Sequence, residues 1–162
     1  MNEERQALRD CLDRQRAHVL GILEDLTDEQ LRRPVLPSGW NCLGMVKHLA
    51  LSDEHYWFRC IVGGESLDFF ESPTSRSAWE VGPGEAAAGV LDRYRSEIEQ
   101  ANIIITSDAL DMAPRQRDAW WGDWDVPNCR FILLHVIAET ACHAGHLDAA
   151  RELLDGRQWI VL

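Results

Sequence analysis

Three imidazoles and a carboxylate recur along one side of the stretch from Asn128 to Asp155: His135, Glu139, His143 and His146. At about 100° per residue, a helix places all four within a sector of roughly 80°. Most other positions from Phe131 to Leu147 are apolar or small, which assigns the helix to a core. Side chains four apart sit one above the other, so Glu139 with His143, or His135 with Glu139, can offer two ligands to one metal. Spacing does not choose between these pairs. A third ligand has to come from another helix, and His48 is the best placed. It lies on a second polar line, with Asn41, Ser52, His55 and Arg59 all within about 40° of it. Two imidazoles and one carboxylate suit zinc, with nickel, iron or manganese as alternatives. Three protein ligands leave a coordination position open, as catalytic sites do. The competing reading makes the stripe a solvent face, or a set of core histidines with satisfied ring nitrogens. Solvent faces, however, are usually built from Glu, Lys, Arg and Gln.

The elements that must position these groups follow from periodicity and punctuation. A first helix is predicted from Asn2 to Leu26, with Leu8, Cys11, Leu12, Val19, Ile22, Leu23 and Leu26 as its apolar stripe. Thr27 is the expected N-cap of a short turn, and Pro34, Pro37 and Gly39 make a loop. A second long helix spans Asn41 to Val62 and stops at Gly63 and Gly64. From Glu65 to Gly84 the pattern breaks into a long ordered loop whose Phe69, Phe70 and Trp79 pack onto the bundle. A third helix runs from Glu85 to Ile105. The loop from Thr106 to Pro127 gathers Trp120, Trp121 and Trp124, and loops of this length are usually functional or poorly ordered. Asn128 caps the last helix and Gly156 ends it. The expected architecture is all-α, a four-helix bundle with two long connecting loops, in one domain covering residues 1–162.

Composition narrows the partners. A formal charge of −11 over 162 residues argues against nucleic acid, whose phosphates need clustered Lys and Arg, and against anionic lipid. No run of 18 apolar residues and no apolar signal core is present, so no membrane span is expected. Cys11, Cys42, Cys60, Cys129 and Cys142 are odd in number and form no CxxC pair. They read as reduced thiols in a cytoplasmic protein.

The segments GWNCLGMVKHLA, HYWFR and above all HVIAETACHAGHLDAARELLDG resemble the DinB-like superfamily of metal-binding four-helix proteins. The branch they most resemble is that of mycothiol-dependent maleylpyruvate isomerase. The resemblance covers nearly the whole chain and implies a bundle with non-sequential helix order, often dimeric. It also implies the ligand set. One histidine of the second helix and two residues four apart on the last fall on His48, Glu139 and His143. Glutamate at the middle position departs from the three-histidine version and is similar to the isomerase branch. The implied activity is a thiol transferase: a small thiol such as mycothiol, held by the metal as thiolate, attacks a small electrophile. The isomerase type carries a further C-terminal domain with no counterpart expected here, so isomerisation itself is not carried over. Metal-assisted hydrolysis and non-catalytic ligand binding or sensing are the alternatives.

Other residues have weaker assignments. His146, one turn beyond His143, is a second-shell donor or proton shuttle, or else a packing residue. His55, His135, Trp121 and Arg130 are candidates for contacting substrate. Trp120, Trp121 and Trp124 together are candidates for a lid over an apolar substrate, with loop anchoring or a dimer contact as the competing role; for Arg130 the competing role is an ion pair. A homodimer using a small-molecule substrate and a small thiol is the expected working unit.

Overall fold

Side-chain caps begin the helices where the sequence predicts them. Thr27 and Gln30 form a reciprocal capping box. Asn41 Oδ1 accepts from Gly44 N at 2.8 Å, and Asn128 Oδ1 accepts from Phe131 N at 3.0 Å. The computed structural model describes residues 3–68, 78–107 and 110–160; Phe69 and Phe70 lie outside them. The helices are α1 (Glu3–Ile22), α2 (Asp28–Arg32), α3 (Cys42–His48), α4 (Ala87–Ser107) and α5 (Cys129–Asp155). After His48 the α3 rod continues without a break into a wider π-type winding over Leu49–Val62. No strand occurs among the described residues.

The four long rods (α1, α3 with its π continuation, α4 and α5) pack as a bundle. α1 lies chiefly against α5, and the π segment chiefly against α4. Two apolar clusters fill the two ends. One gathers Val19, Ile22, Leu43, Leu49, Tyr94 and Leu147, the other Leu12, Phe58, Ile61, Ile105, Ile132 and Val136. Between them runs a polar belt. Arg16, Asp53, Glu54, Glu97 and Thr140 are all buried there, each lying in sequence between residues of the two clusters. The Arg16 guanidinium donates to both Glu54 oxygens, at 2.7 and 2.5 Å, and to Asp13 and Asn102 at 2.7 and 2.9 Å. This belt ties three rods together at the level of the candidate site.

Three boundaries differ from the sequence reading, one of them the end of α4, at Ser107 rather than Ile105. α1 stops at Ile22 rather than Leu26 because Asp25 takes a positive φ of 65°, a conformation Asp tolerates. The buried Arg151 then donates to the Ile22 carbonyl, and to that of Glu24 at 2.7 Å, satisfying the helix end. α4 begins at Ala87 rather than Glu85, because Glu85 is engaged as a turn cap on Gly82 N at 2.8 Å and as the partner of Lys47. Asp148 also gains a role, accepting from the backbone of Trp159 at 2.7 Å and of Ile160 at 3.0 Å. No described helix is long and apolar enough to cross a membrane.

Candidate functional site

His48 closes the α-wound part of α3, one turn after Gly44. A Cβ on Gly44 would stand 2.3 Å from the Trp79 carbonyl oxygen, so only glycine there lets the incoming loop lie this close. Lys47 holds the same loop through the Glu80 carbonyl at 2.8 Å. As a result the Trp79 indole stacks on the His48 ring, with centroids 3.8 Å apart and planes at 16°. On the other side, α5 presents the His143 ring edge-on to His48 at 5.2 Å and 88°. Glu139 Oε2 lies 3.6 Å from His143 Nε2. α3 and α5 thus bring His48, Glu139 and His143 together.

The electrostatics favour uncharged rings. Burial, with His143 adding to it, pushes His48 down to about 4. Burial likewise lowers His143 despite Glu139. Both are neutral at pH 7, the form that binds a cation. The Nδ1 atoms of both rings are buried without a hydrogen-bond partner among the described residues, which costs free energy unless something else occupies them. Two neutral imidazoles with unmet nitrogens and an adjacent carboxylate are a donor set a divalent metal can use. Among the described residues, though, no three His, Cys, Asp or Glu groups are arranged so as to hold a metal ion.

His48 carries a testable stability consequence. Its ring binds a proton more readily in the unfolded chain, at an ordinary value near 6.5, than in the fold. Stability is therefore full above the unfolded value, and it falls as pH drops from 6.5 toward 4. The loss is roughly 2–3 kcal/mol. Urea denaturation of metal-free protein at a series of pH values should show it, and His48→Gln should flatten the curve in that window.

A pocket of about 550 Å³ opens beside these groups, lined by His48, Ser52, Asp53, Tyr56, Trp57, Asp118, Trp120, Trp124, His135 and Glu139. Asp53 is buried, and its Oδ2 has no partner among the described residues. Burial, then the charges of Glu54 and Glu139, hold its carboxyl well above the usual range and favour its acid form. His135 meets Trp57 and Trp124 edge-on at 4.9 and 5.2 Å, and burial lowers its pKa. A larger groove, of about 620 Å³ between α3 and α4, contains none of the proposed ligands.

The remaining candidates stand elsewhere. His55 Nδ1 is 3.2 Å from Glu97 Oε2, and Arg59 donates to the same oxygen at 2.9 Å. Burial opposes ionisation of Glu97, but these bonds outweigh it and hold the carboxyl at about 2. Trp121 is buried behind the pocket, stacked on Trp57. Arg130 pairs with Glu4 at 2.6 Å and with Asp111, away from the pocket lining. His146 is exposed, with its ring 5.7 Å from that of His143. Asp53, Tyr56, Trp57 and Asp118 escaped the sequence reading, and Trp79 was seen only as a packing residue.

The family model described as mycothiol-S-transferase matches residues 7–156. No curated protein and no solved structure matches the chain.

Proposed function

The chain belongs to the mycothiol-S-transferase family, a DinB-like family, and from that premise we propose that it joins mycothiol to a small electrophile bound in the pocket beside His48. Family membership implies mycothiol as co-substrate. The observation that supports the site assignment is the meeting of His48 and His143, two half-buried neutral rings, with Glu139 beside His143 Nε2 at the pocket edge. In this reading His48, Glu139 and His143 hold a divalent metal, zinc by the chemistry of the donors. When bound, such a cation favours the thiolate form of a sulfur near neutral pH.

The chain's own residues supply the rest. His135 lines the pocket as a neutral ring and accepts the proton that mycothiol loses. The acid form of Asp53, on the same wall, donates a hydrogen bond to an oxygen of the electrophile. The burial of His48 beneath Trp79 keeps bulk water from that face of the site. In the transfer an S–C bond forms. The leaving group departs with the electron pair of its former bond to carbon, and the thiol proton passes through His135 to solvent. The same reading takes the working form as a cytoplasmic homodimer. Family resemblance supports the dimer, and five cysteines outside any disulfide support the compartment.

A thiol panel tests the reading. Metal-loaded protein, offered a reactive electrophile with mycothiol, bacillithiol, glutathione or no thiol, should turn over at least about ten times faster with mycothiol than with any other. Equal turnover without thiol would point to hydrolysis and sink the proposal.

A further inference from the structure

Aromatic rings form one side of the pocket, and they are braced from behind. Trp57 stacks on the buried Trp121 at 5.4 Å and 23°, and Trp124 meets Trp57 edge-on at 5.7 Å. The Tyr56 hydroxyl is the hub. It accepts from Trp120 Nε1 at 2.9 Å and Trp121 Nε1 at 2.8 Å, and donates to Asp118 Oδ2 at 3.1 Å. Trp120 is tied down in this way yet remains 64% exposed. A fixed tryptophan with a bare face is expensive surface for a protein in water. It is also rigid contact area that binds flat ligands at little ordering cost.

The charges around this wall are of one sign. Asp118 and Glu139 line the pocket beside the acid form of Asp53, and no Lys or Arg does among the described residues. The neighbouring Arg117 lies over Trp121, behind the wall, and donates to the Gly122 and Trp124 carbonyls at 2.6 and 3.2 Å. A divalent cation does not reverse this balance, since Glu139 and a thiolate would cancel its charge and leave that of Asp118. An anionic group entering here meets like charge with no compensating cation, which is how binding sites refuse a partner.

Resting on the transferase reading for its chemistry, we propose that the electrophile is a flat, conjugated molecule without negative charge. It stacks on Trp120 and Trp124, and carboxylated electrophiles of the same shape are excluded.

A matched pair of probes tests this. With mycothiol, 1-chloro-2,4-dinitrobenzene and 4-chloro-3,5-dinitrobenzoate undergo the same step. The sulfur bonds to the ring carbon, the C–Cl bond breaks, chloride leaves with the electron pair and the thiol proton goes to solvent. After correction for the uncatalysed rates, kcat/KM should favour the uncharged probe by at least about ten-fold. Parity, or preference for the benzoate, overturns the proposal. Binding is measured separately by calorimetry on metal-free protein, without thiol, using unreactive 2,4-dinitroaniline and 4-amino-3,5-dinitrobenzoate. The aniline should bind at least about ten times more tightly. Trp120→Ala should weaken it by a similar factor, while Trp120→Phe retains most of the affinity. Ser52→Lys, which adds a cation to the lining, should raise affinity for the benzoate. No aniline binding, or equal binding of both probes, overturns the proposal whatever the turnover shows. Selective binding with no thiol-dependent turnover of any electrophile leaves the pocket inference standing and removes the transferase reading.

Discussion

His48→Ala and His143→Ala should each lower metal affinity and mycothiol-dependent kcat/KM by at least about 100-fold, with helical content unchanged. Losing a hydrogen-bonding partner that merely orients a ligand already costs about 10–100-fold in affinity, and these substitutions remove the ligand itself. The fold should survive because neither residue is fully buried. Alanine also removes a ring nitrogen that has no hydrogen-bond partner, which offsets part of the lost packing. Elemental analysis after dialysis, circular dichroism and steady-state kinetics check the three parts separately. His146→Ala is the control, since that ring is exposed. If His146→Ala loses its metal while His143→Ala keeps it, the ligand assignment is wrong.

The second large effect lies in the belt. Glu54→Gln should destabilise the fold by roughly 3–5 kcal/mol, because it leaves the buried Arg16 guanidinium with the half-exposed Asp13 as its one remaining anion. Arg16 is 2% exposed and Glu54 0%, so water cannot take over. Replacing both, as Arg16→Met with Glu54→Leu, removes the charge along with its partner and should recover most of the loss. Urea denaturation of the single and double variants gives both numbers. A loss in Glu54→Gln of less than about 1 kcal/mol would mean that Asp13 and Asn102, rather than Glu54, carry the guanidinium.

Much of the frame was legible before any coordinates, because helix starts and stops are written in local chemistry. Thr27, Asn41, Asn128 and Gly156 act where their side chains or backbone preferences place them. The line from His48 through Ser52 to His55 and Arg59 was not. It assumes α-helical winding, whereas the rod beyond His48 bonds in the π manner, as Gly63 N to the Phe58 carbonyl at 2.8 Å illustrates. Each residue then advances by fewer degrees, and the line fans out. Ser52 still reaches the pocket, while His55 and Arg59 turn to Glu97 on α4. π winding is frequent at functional sites, and no residue type announces it. The aromatic wall was legible only in part, as a lid that Trp120, Trp121 and Trp124 could form, and for a different reason. Trp79, Trp120 and Trp124 come from irregular connections, where no periodicity says which face of the bundle a side chain will cover. Their presence could be counted, but their destination depended on Gly44 and on the Tyr56 hydroxyl.

The belt between the two apolar clusters also shapes how this protein can change over generations. Its hydrogen bonds are directional, so they key the rods to one axial alignment; a slip by one turn would set Arg16 against hydrocarbon. With alignment held in this way, each cluster is free to drift in its own choice of Leu, Ile, Val or Phe without shifting the rings between them. Distant apolar exchanges in the two ends should accordingly accumulate almost independently. The lineage can retune its thermal tolerance from either end while the chemistry at the waist stays put.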